Sequence, residues 1–186
     1  PGFVMSLFAM YKNYSSYKSN IIKNSIAGNL CRCTGYRPII DAAKSLNKKN
    51  KFDYFRKTKQ ATISLLQKIE LDTIVIFHKD KKYFAPKNVR ELKKILKRNP
   101  HSKLLSGGTD LSLIVTKEKK DIDSIIYMNS INELNYIEKK NNYIEIGATT
   151  PLISFESFIK KYYPDFEQIL QRYGSVQIRN VCTIAG

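Results

Sequence analysis

The stretch Asn29-Leu30-Cys31-Arg32-Cys33-Thr34-Gly35-Tyr36-Arg37-Pro38-Ile39 decides how the amino-terminal part of this chain is interpreted. Cys31 and Cys33 lie two residues apart in a loop, and Pro38 falls near the first turn of a predicted helix. Two thiolates at this spacing can both face one metal ion or cluster, and glycines let backbone N–H groups approach the sulfur atoms. A strained local disulfide and two unrelated buried thiols are the open alternatives.

Apolar residues at helical spacing flank this loop on both sides. Before it they are Phe3, Leu7, Met10, Tyr11 and Tyr14, and after it they are Ile39, Ala42, Ala43 and Leu46. The sequence predicts a small helical domain over residues 1–48, with a polar connection between its two helices. A unit of this size usually needs a metal or disulfide to hold it together. A polar, lysine-rich linker that can hold one short helix is predicted over residues 49–72.

From residue 73 onward, strand and helix patterns alternate. Strands are predicted over 73–77, 103–106 and 124–128, with a hairpin around 140–142. Asn88 with Glu91, and Ser130 with Glu133, have the spacing of helix capping boxes. Two further helices are predicted, one ending before Pro164 and one closed by Gly174. Residues 73–186 therefore read as a mixed domain, and the predicted fold class of the chain is α+β.

A second motif lies where a predicted strand ends, in Leu104-Leu105-Ser106-Gly107-Gly108-Thr109-Asp110-Leu111. A strand that runs into two glycines leaves successive backbone N–H groups free, which suits a phosphate or pyrophosphate. The pattern lacks the G-x-G-x-x-G spacing of a Rossmann fold. A tight turn without a ligand is the alternative.

The composition is strongly basic, with Lys+Arg 32 against Asp+Glu 16 and a formal net charge of +16. Nucleic acid is one partner that such a charge suggests, but only seven of the basic residues are arginine, the side chain best suited to phosphate and base contacts. A solvated, lysine-rich surface explains the charge better. The longest apolar run, Gly2–Met10, is far shorter than the ~20 residues of a membrane span. Three cysteines do not make a disulfide framework, so we expect a cytoplasmic protein without a membrane partner.

The string around Cys31 and Cys33 resembles the second 2Fe–2S motif of the molybdenum hydroxylases, the xanthine dehydrogenase and aldehyde oxidase family. Pro1-Gly2-Phe3 resembles the end of the Thr-Pro-Gly-Phe segment that follows the other two cysteine ligands in that family. Leu104–Leu111 resembles its first FAD pyrophosphate loop, and Tyr173–Gly186 resembles its second flavin loop, with Cys182 and Ala185 as departures from the usual residues. Within the family, the run Leu113–Lys117 and the two-cofactor layout are most similar to the small subunit of bacterial xanthine dehydrogenases.

This resemblance implies a set of site residues. Cys31 and Cys33 are expected to ligate a 2Fe–2S cluster. No residue of the chain is expected to be a catalytic acid or base. The residues expected to contact FAD are Leu104, Leu105, Ser106, Gly107, Gly108, Thr109, Asp110, Leu111, Tyr173, Thr183, Ile184, Ala185 and Gly186. Asp110 is further expected to hold its loop by hydrogen bonds to backbone N–H groups.

The implied function is that of the electron-transfer subunit of a xanthine dehydrogenase-like oxidoreductase. Electrons would pass from a molybdenum cofactor on a separate large subunit through 2Fe–2S clusters to FAD and on to NAD. We expect a partial helical 2Fe–2S-binding domain followed by a partial FAD-binding domain, in a fragment cut at both ends. The alternative is a basic nucleic-acid-binding module with an incidental or zinc-binding C-x-C pair.

Overall fold

The computed structural model describes residues 1–46, 54–70 and 72–185. The chain divides into two compact units. The first comprises Pro1–Glu70 with Gly174–Val176, and the second comprises Leu71–Tyr173 with Gln177–Gly186. The predicted boundaries at 48 and 72 stay a prediction, and residues 49–53 and 71 of the predicted linker lie outside the described residues.

The first unit is helical in its described part. Its helices are α1 (Gly2–Asn13), α2 (Ser19–Ile26), α3 (Arg37–Ser45) and α4 (Tyr54–Leu66). Met10, Ile22 and Ala43 come from three of these helices and form a small buried core with almost no solvent exposure. Both helices predicted around the cysteine loop are therefore present.

Helix α2 corrects the prediction of a polar connection before the cysteines. Its sequence, Ser19-Asn20-Ile21-Ile22-Lys23-Asn24-Ser25-Ile26, carries few apolar residues, and this hid the helical period. Two of them, Ile22 and Ile26, are four residues apart, lie on one helix face and are buried. Tertiary burial of that narrow face stabilises a helix of low intrinsic propensity.

Helix α4 occupies most of the described part of the predicted linker and buries none of its own residues. Its contact with α1 is aromatic, because the Phe55 ring meets the Phe8 ring edge-on at a centroid distance of 5.4 Å. The Lys12 ammonium lies 5.7 Å from the Phe8 centroid and 5.2 Å from the Phe55 centroid, within cation–π range of both.

The second unit combines strands and helices, so the predicted α+β fold class is confirmed. Its strands are β1 (Ile74–His78), β2 (Lys81–Ala85), β3 (Lys103–Leu105), β4 (Ser124–Tyr127), β5 (Ile137–Lys139) and β6 (Ile144–Ile146). Its helices are α5 (Val89–Arg98), α6 (Leu111–Thr116), α7 (Leu152–Ile159), α8 (Pro164–Arg172) and α9 (Val176–Val181), with a 3₁₀ turn at Asn132–Leu134.

Strands β1 to β4 form one sheet in the order β1-β2-β4-β3. The β1–β2 hairpin is antiparallel, whereas β4 runs parallel to both of its neighbours, β2 and β3. The carboxyl ends of β2, β3 and β4 therefore meet at one edge of the sheet. Phe84, Leu92, Ile126, Met128 and Ile131 form the buried core between this sheet and α5.

The two predicted capping boxes have different outcomes. The Asn88 side chain accepts a hydrogen bond from Glu91 N at 2.9 Å and caps α5, which is one half of the predicted box. The Glu91 carboxylate accepts from the Thr73 hydroxyl instead. The Ser130–Glu133 box is wrong, because the 3₁₀ turn has no side-chain cap. The Ser130 hydroxyl donates to Pro86 O at 2.7 Å, and the Glu133 carboxylate accepts from Val89 N at 2.7 Å. Both side chains therefore bind another segment instead of their own helix.

The rest of the second unit follows the predicted hairpin and helix pair. Strands β5 and β6 pair antiparallel, and Ile137, Ile144 and Ile146 pack against a core formed by Phe155, Ile159 and Leu170 of α7 and α8. Strand β2 and helices α6 and α9 are additional elements that the sequence patterns did not predict. In the described part of the chain, no helix is long and apolar enough to span a bilayer.

Candidate cofactor sites

Two hydrogen bonds fix the cysteine loop, one donated by the Cys31 backbone N–H and one by the Asn29 side chain. Cys31 N donates to the Tyr36 hydroxyl at 3.0 Å, and the Asn29 side chain donates to the Ser6 hydroxyl of α1 at 2.7 Å. Gly35 and Tyr36 both have positive φ, 62° and 69°. A positive φ is strained for a tyrosine, so tertiary contacts impose this conformation immediately before α3.

The two thiols are free, and neither is buried. This excludes the disulfide and buried-thiol alternatives for the described structure. The Thr34 hydroxyl lies 3.4 Å from the Cys31 sulfur, and Cys33 N donates to the same sulfur at 3.4 Å. Hydrogen bonds from Thr34, then from the backbone N–H groups of Cys33 and Thr34, lower the pKa of Cys31. The loop therefore favours the thiolate, the form that binds iron.

The start of α1 lies against this loop. A Cβ atom at Gly2 would approach the Asn29 side-chain oxygen to 2.4 Å, and the Phe3 ring contacts the Tyr36 ring at a centroid distance of 6.3 Å. Residues 2 and 3 are therefore neighbours of the segment that carries Cys31 and Cys33. Cys31 and Cys33 provide two thiolates, which are half of the four ligands that a 2Fe–2S cluster takes. Among the described residues, no group of three or more His, Cys, Asp or Glu side chains converges on one point.

The Gly107–Gly108 motif forms a loop at the carboxyl edge of the sheet, as its sequence predicted. Leu104 and Leu105 belong to β3, and Leu111 begins α6. We call the intervening residues 106–110 the first loop. The backbone N–H groups of residues 107–111 donate to no protein acceptor within the described ranges. A run of free N–H groups of this kind fits an anionic group such as a pyrophosphate.

The first loop packs directly against the carboxy-terminal loop, which we define as residues 182–185. A Cβ atom at Gly107 would lie 2.0 Å from Val181 O and 2.8 Å from Cys182 Cα, so only glycine fits between the two segments. Gly108 has a φ of 69°, which also favours glycine. The structure thus brings together two motifs that are more than 70 positions apart in the sequence.

The carboxy-terminal loop is fixed from its other side by the segment between β6 and α7. Leu152 N donates to Cys182 O at 2.9 Å, and Ile184 N donates to Thr150 O at 3.3 Å. Thr183 is buried, whereas Ile184 and Ala185 are exposed, and Ala185 has no positive φ. Gly186 lies outside the described residues.

Tyr173 and Asp110 complete the predicted site residues. Tyr173 follows α8 and is 52% exposed. Its pKa is raised, chiefly by the nearby Cys182 thiol and to a smaller extent by burial and by Asp110. Tyr173 is therefore a neighbour of both loops. The expectation that the Asp110 carboxylate accepts hydrogen bonds from backbone N–H groups is wrong, because its side chain caps no N–H group at the start of α6.

Arg179 is a residue of this region that the sequence patterns did not reveal. It is 3% exposed and pairs with Glu156 at 3.0 Å, while its Nη1 donates to Gln171 O at 3.2 Å and to Tyr173 O at 3.1 Å. Arginine is usually exposed, so an isolated arginine in a sequence does not indicate burial.

A cavity of about 470 Å³ opens at the opposite edge of the sheet, near the amino ends of β2, β3 and β4. Lys82, Arg98, Lys103, Asp121 and Asp123 are among the charged residues that line it. None of the described FAD-site residues does so. The predicted site is therefore a loop edge rather than this cavity.

Comparisons with known proteins agree with this geometry. The family described as "FAD binding domain in molybdopterin dehydrogenase" matches residues 77–186, and the family described as "[2Fe-2S] binding domain" matches residues 1–44. The xanthine dehydrogenase of Emericella nidulans is 28% identical over 248 aligned positions, which cover 100% of this chain and 18% of that protein. The chain thus spans less than a fifth of the length of this curated relative.

Two further relatives each match about three-fifths of the chain. The nicotinate dehydrogenase FAD-subunit of Eubacterium barkeri is 33% identical over 112 residues, 58% of this chain and 38% of that one. Among solved structures, a carbon monoxide dehydrogenase from Hydrogenophaga pseudoflava superposes with a TM-score of 0.53 and 27% identity, covering 60% of this chain and 40% of that chain. The family resemblance stated from the sequence is confirmed, and the nucleic-acid alternative is not favoured. The chain belongs to the family of molybdopterin dehydrogenase FAD-binding domains and carries a [2Fe-2S]-binding domain before it.

Proposed function

We propose that this chain is the electron-transfer part of a xanthine dehydrogenase-like molybdenum hydroxylase. Electrons from a molybdenum site on a partner subunit would reach FAD by way of 2Fe–2S clusters and leave to NAD⁺. The observation that carries the proposal is the presence in one chain of a free, hydrogen-bonded thiol pair and a loop of unpaired N–H groups. NAD⁺ as the electron acceptor is proposed from the family resemblance of the sequence motifs, and the cytoplasmic location from the low number of cysteines.

Cys31 and Cys33 would supply two of the four thiolates for one cluster, and the Thr34 hydroxyl would stabilise the charge on Cys31. The contact of Gly2 and Phe3 with this loop supports the placement of the other two ligands immediately before Pro1, as the family motif implies. The bound cluster supplies one-electron redox chemistry. The role of this chain is to hold the cluster and to tune its potential through hydrogen bonds to the sulfur atoms.

The FAD would lie along residues 104–111 and 183–186, with Tyr173 beside the flavin ring. The free N–H groups of residues 107–111 would face the pyrophosphate, because they are successive unpaired donors at this sheet edge among the described residues. When bound, FAD supplies the chemistry that links one-electron donors, such as the clusters, to a two-electron acceptor. No side chain of this site is assigned a proton-transfer role.

The cluster assignment is tested by Cys31→Ser and Cys33→Ser in the full-length protein. Loss of one of four ligands removes or loosens the cluster, so we expect most of one cluster's EPR signal to disappear while the FAD content stays near normal. Cys182→Ser is the matched control, since it removes the third thiol and should leave both the iron content and the EPR signals unchanged. Intact cluster signals in both Cys31→Ser and Cys33→Ser would overturn the assignment.

The FAD assignment is tested by Gly108→Val and the milder Gly108→Ala. A β-branched side chain resists the φ of 69° and blocks close approach to the backbone, so the bound flavin is expected to fall several-fold at constant iron content. Gly108→Ala adds a single methyl group, 3.0 Å from Leu105 Cδ1, and should have a smaller effect in the same direction. Flavin occupancy in Gly108→Val equal to that of the wild type would show that the loop is a turn without a ligand.

A further inference from the structure

The first loop depends on a residue of the neighbouring strand connection. Asn129 follows β4, and Ser106 follows β3, its parallel neighbour in the sheet. The Ser106 hydroxyl donates to Asn129 Oδ1, and Asn129 Nδ2 donates back to Ser106 O at 3.5 Å. The two hydrogen bonds join the Asn129 side chain to both the side chain and the backbone of Ser106, immediately before Gly107.

The residues on both sides of Asn129 are hydrogen-bonded to neighbouring segments of the sheet. Met128 N donates to Leu105 O at 2.8 Å, which extends the β3–β4 ladder by one residue. On the other side of Asn129, the Ser130 hydroxyl donates to Pro86 O at 2.7 Å, beyond the end of β2. The backbone at Asn129 is thus fixed to both flanking strands, and its side chain can transmit that fixed position to the first loop.

The exposure of the two partners indicates which of them faces the ligand side. Ser106 is 8% exposed, whereas Asn129 is an exposed residue at the same edge of the sheet as the free N–H groups of residues 107–111. An amide nitrogen has two hydrogens, and only one of them is used by Ser106. A neutral donor at this place is compatible with an anionic ligand, while a carboxylate there would repel it.

We infer that Asn129 is a positioning residue for FAD, which fixes the first loop through Ser106 so that its N–H groups are arranged for the pyrophosphate. This inference rests on the proposed function. It assigns Asn129 no direct part in electron transfer.

The test is a double-mutant cycle on the full-length protein, with FAD affinity measured by titrating the flavin-free form and following flavin fluorescence. Asn129→Ala and Ser106→Ala are each expected to weaken FAD binding by about three- to tenfold, the range for one or two neutral hydrogen bonds. Asn129→Ala breaks both hydrogen bonds, whereas Ser106→Ala breaks only the one that its hydroxyl donates. The double variant is therefore expected to bind FAD no more weakly than Asn129→Ala alone.

Asn129→Asp separates an effect on FAD binding from an effect on folding. It keeps the acceptor for the Ser106 hydroxyl, so the loop is expected to fold even if Asn129→Ala does not. The new charge is expected to weaken FAD binding more than Asn129→Ala does, and added salt should partly restore it. Additive effects in the cycle, or unchanged FAD affinity in Asn129→Ala and Asn129→Asp, would overturn the inference. A wild-type protein that binds no FAD would instead overturn the proposed function, and the inference with it.

Discussion

At the scale of single residues, Thr149 and Thr150 are buried neighbours whose hydroxyl groups have different surroundings. Thr150 is 1% exposed, and its hydroxyl donates to Tyr136 O at 3.0 Å. Thr149 is 4% exposed, and its hydroxyl has no hydrogen-bond partner among the described residues. A buried hydroxyl without a partner destabilises the folded state, because it loses its hydrogen bonds to water.

This contrast predicts opposite effects of the same substitution. Thr149→Val removes an unsatisfied polar group at nearly constant shape, so we expect the free energy of unfolding to rise by about 1 kcal/mol. Thr150→Val breaks a made bond and should lower it by about 1 kcal/mol. Urea unfolding followed by circular dichroism measures both changes. Equal and destabilising effects of the two substitutions would contradict the structure around Thr149.

The two loop glycines are required for different reasons. Position 108 requires glycine because its φ is positive, a local property of the turn. Position 107 requires glycine because Val181 O lies where the Cβ atom of any other residue would be. This requirement comes from a segment 74 positions away in the sequence. A single-sequence argument can identify a glycine turn, but it cannot identify which distant backbone lies against it.

At the scale of secondary-structure elements, Arg179 joins three helices of the second unit. Its guanidinium pairs with Glu156 of α7 and donates to two carbonyl groups at the end of α8, Gln171 O and Tyr173 O. Carbonyl groups at a helix end lack intrahelical hydrogen-bond donors. Arg179, which lies on α9, donates hydrogen bonds to these two. The carboxy-terminal loop follows α9 directly, so the same residue also fixes where that loop begins.

Arg179→Met is therefore expected to lower the free energy of unfolding by about 3 kcal/mol, since it leaves Glu156 and both carbonyl groups without this donor. Arg179→Lys keeps the charge, but one ammonium group cannot reproduce the planar fork, so an intermediate loss is expected. Arg172→Met, at an exposed position of α8, is the control and should change stability by less than about 0.5 kcal/mol. The measurement is urea unfolding, and a neutral Arg179→Met would refute this role.

The elements that the sequence missed share one physical property. Helix α2 buries only two isoleucines, and helix α6 has no buried residue. The first two residues of strand β2 are lysines, and its apolar residues come after them. These elements form because neighbouring strands and helices pair or pack with them, so their own hydrophobic patterns are weak. The strongly patterned α5, capped by Asn88, was predictable because its signals are local.

At the scale of the whole molecule, the net charge of +16 has a testable consequence. A diffuse lysine-rich surface binds nucleic acid only through counterion release, so its affinity falls steeply with salt. We expect a 20-nucleotide single-stranded RNA to bind weakly at about 20 mM salt and not measurably at about 200 mM. An unrelated RNA sequence is the control and should behave identically. Filter binding measures both, and tight, sequence-selective binding at the higher salt would favour the nucleic-acid alternative.

The sequence by itself determined the family, the fold class and the position of each motif, because those depend on short strings such as Cys31–Ile39 and Leu104–Leu111. The tertiary structure decided how the motifs are assembled: that Gly107 lies against Val181, that Asn129 holds Ser106, and that buried Arg179 holds the end of α8. Each of these contacts joins residues from different elements. A local sequence pattern specifies an element, whereas contacts between elements depend on how the whole chain packs.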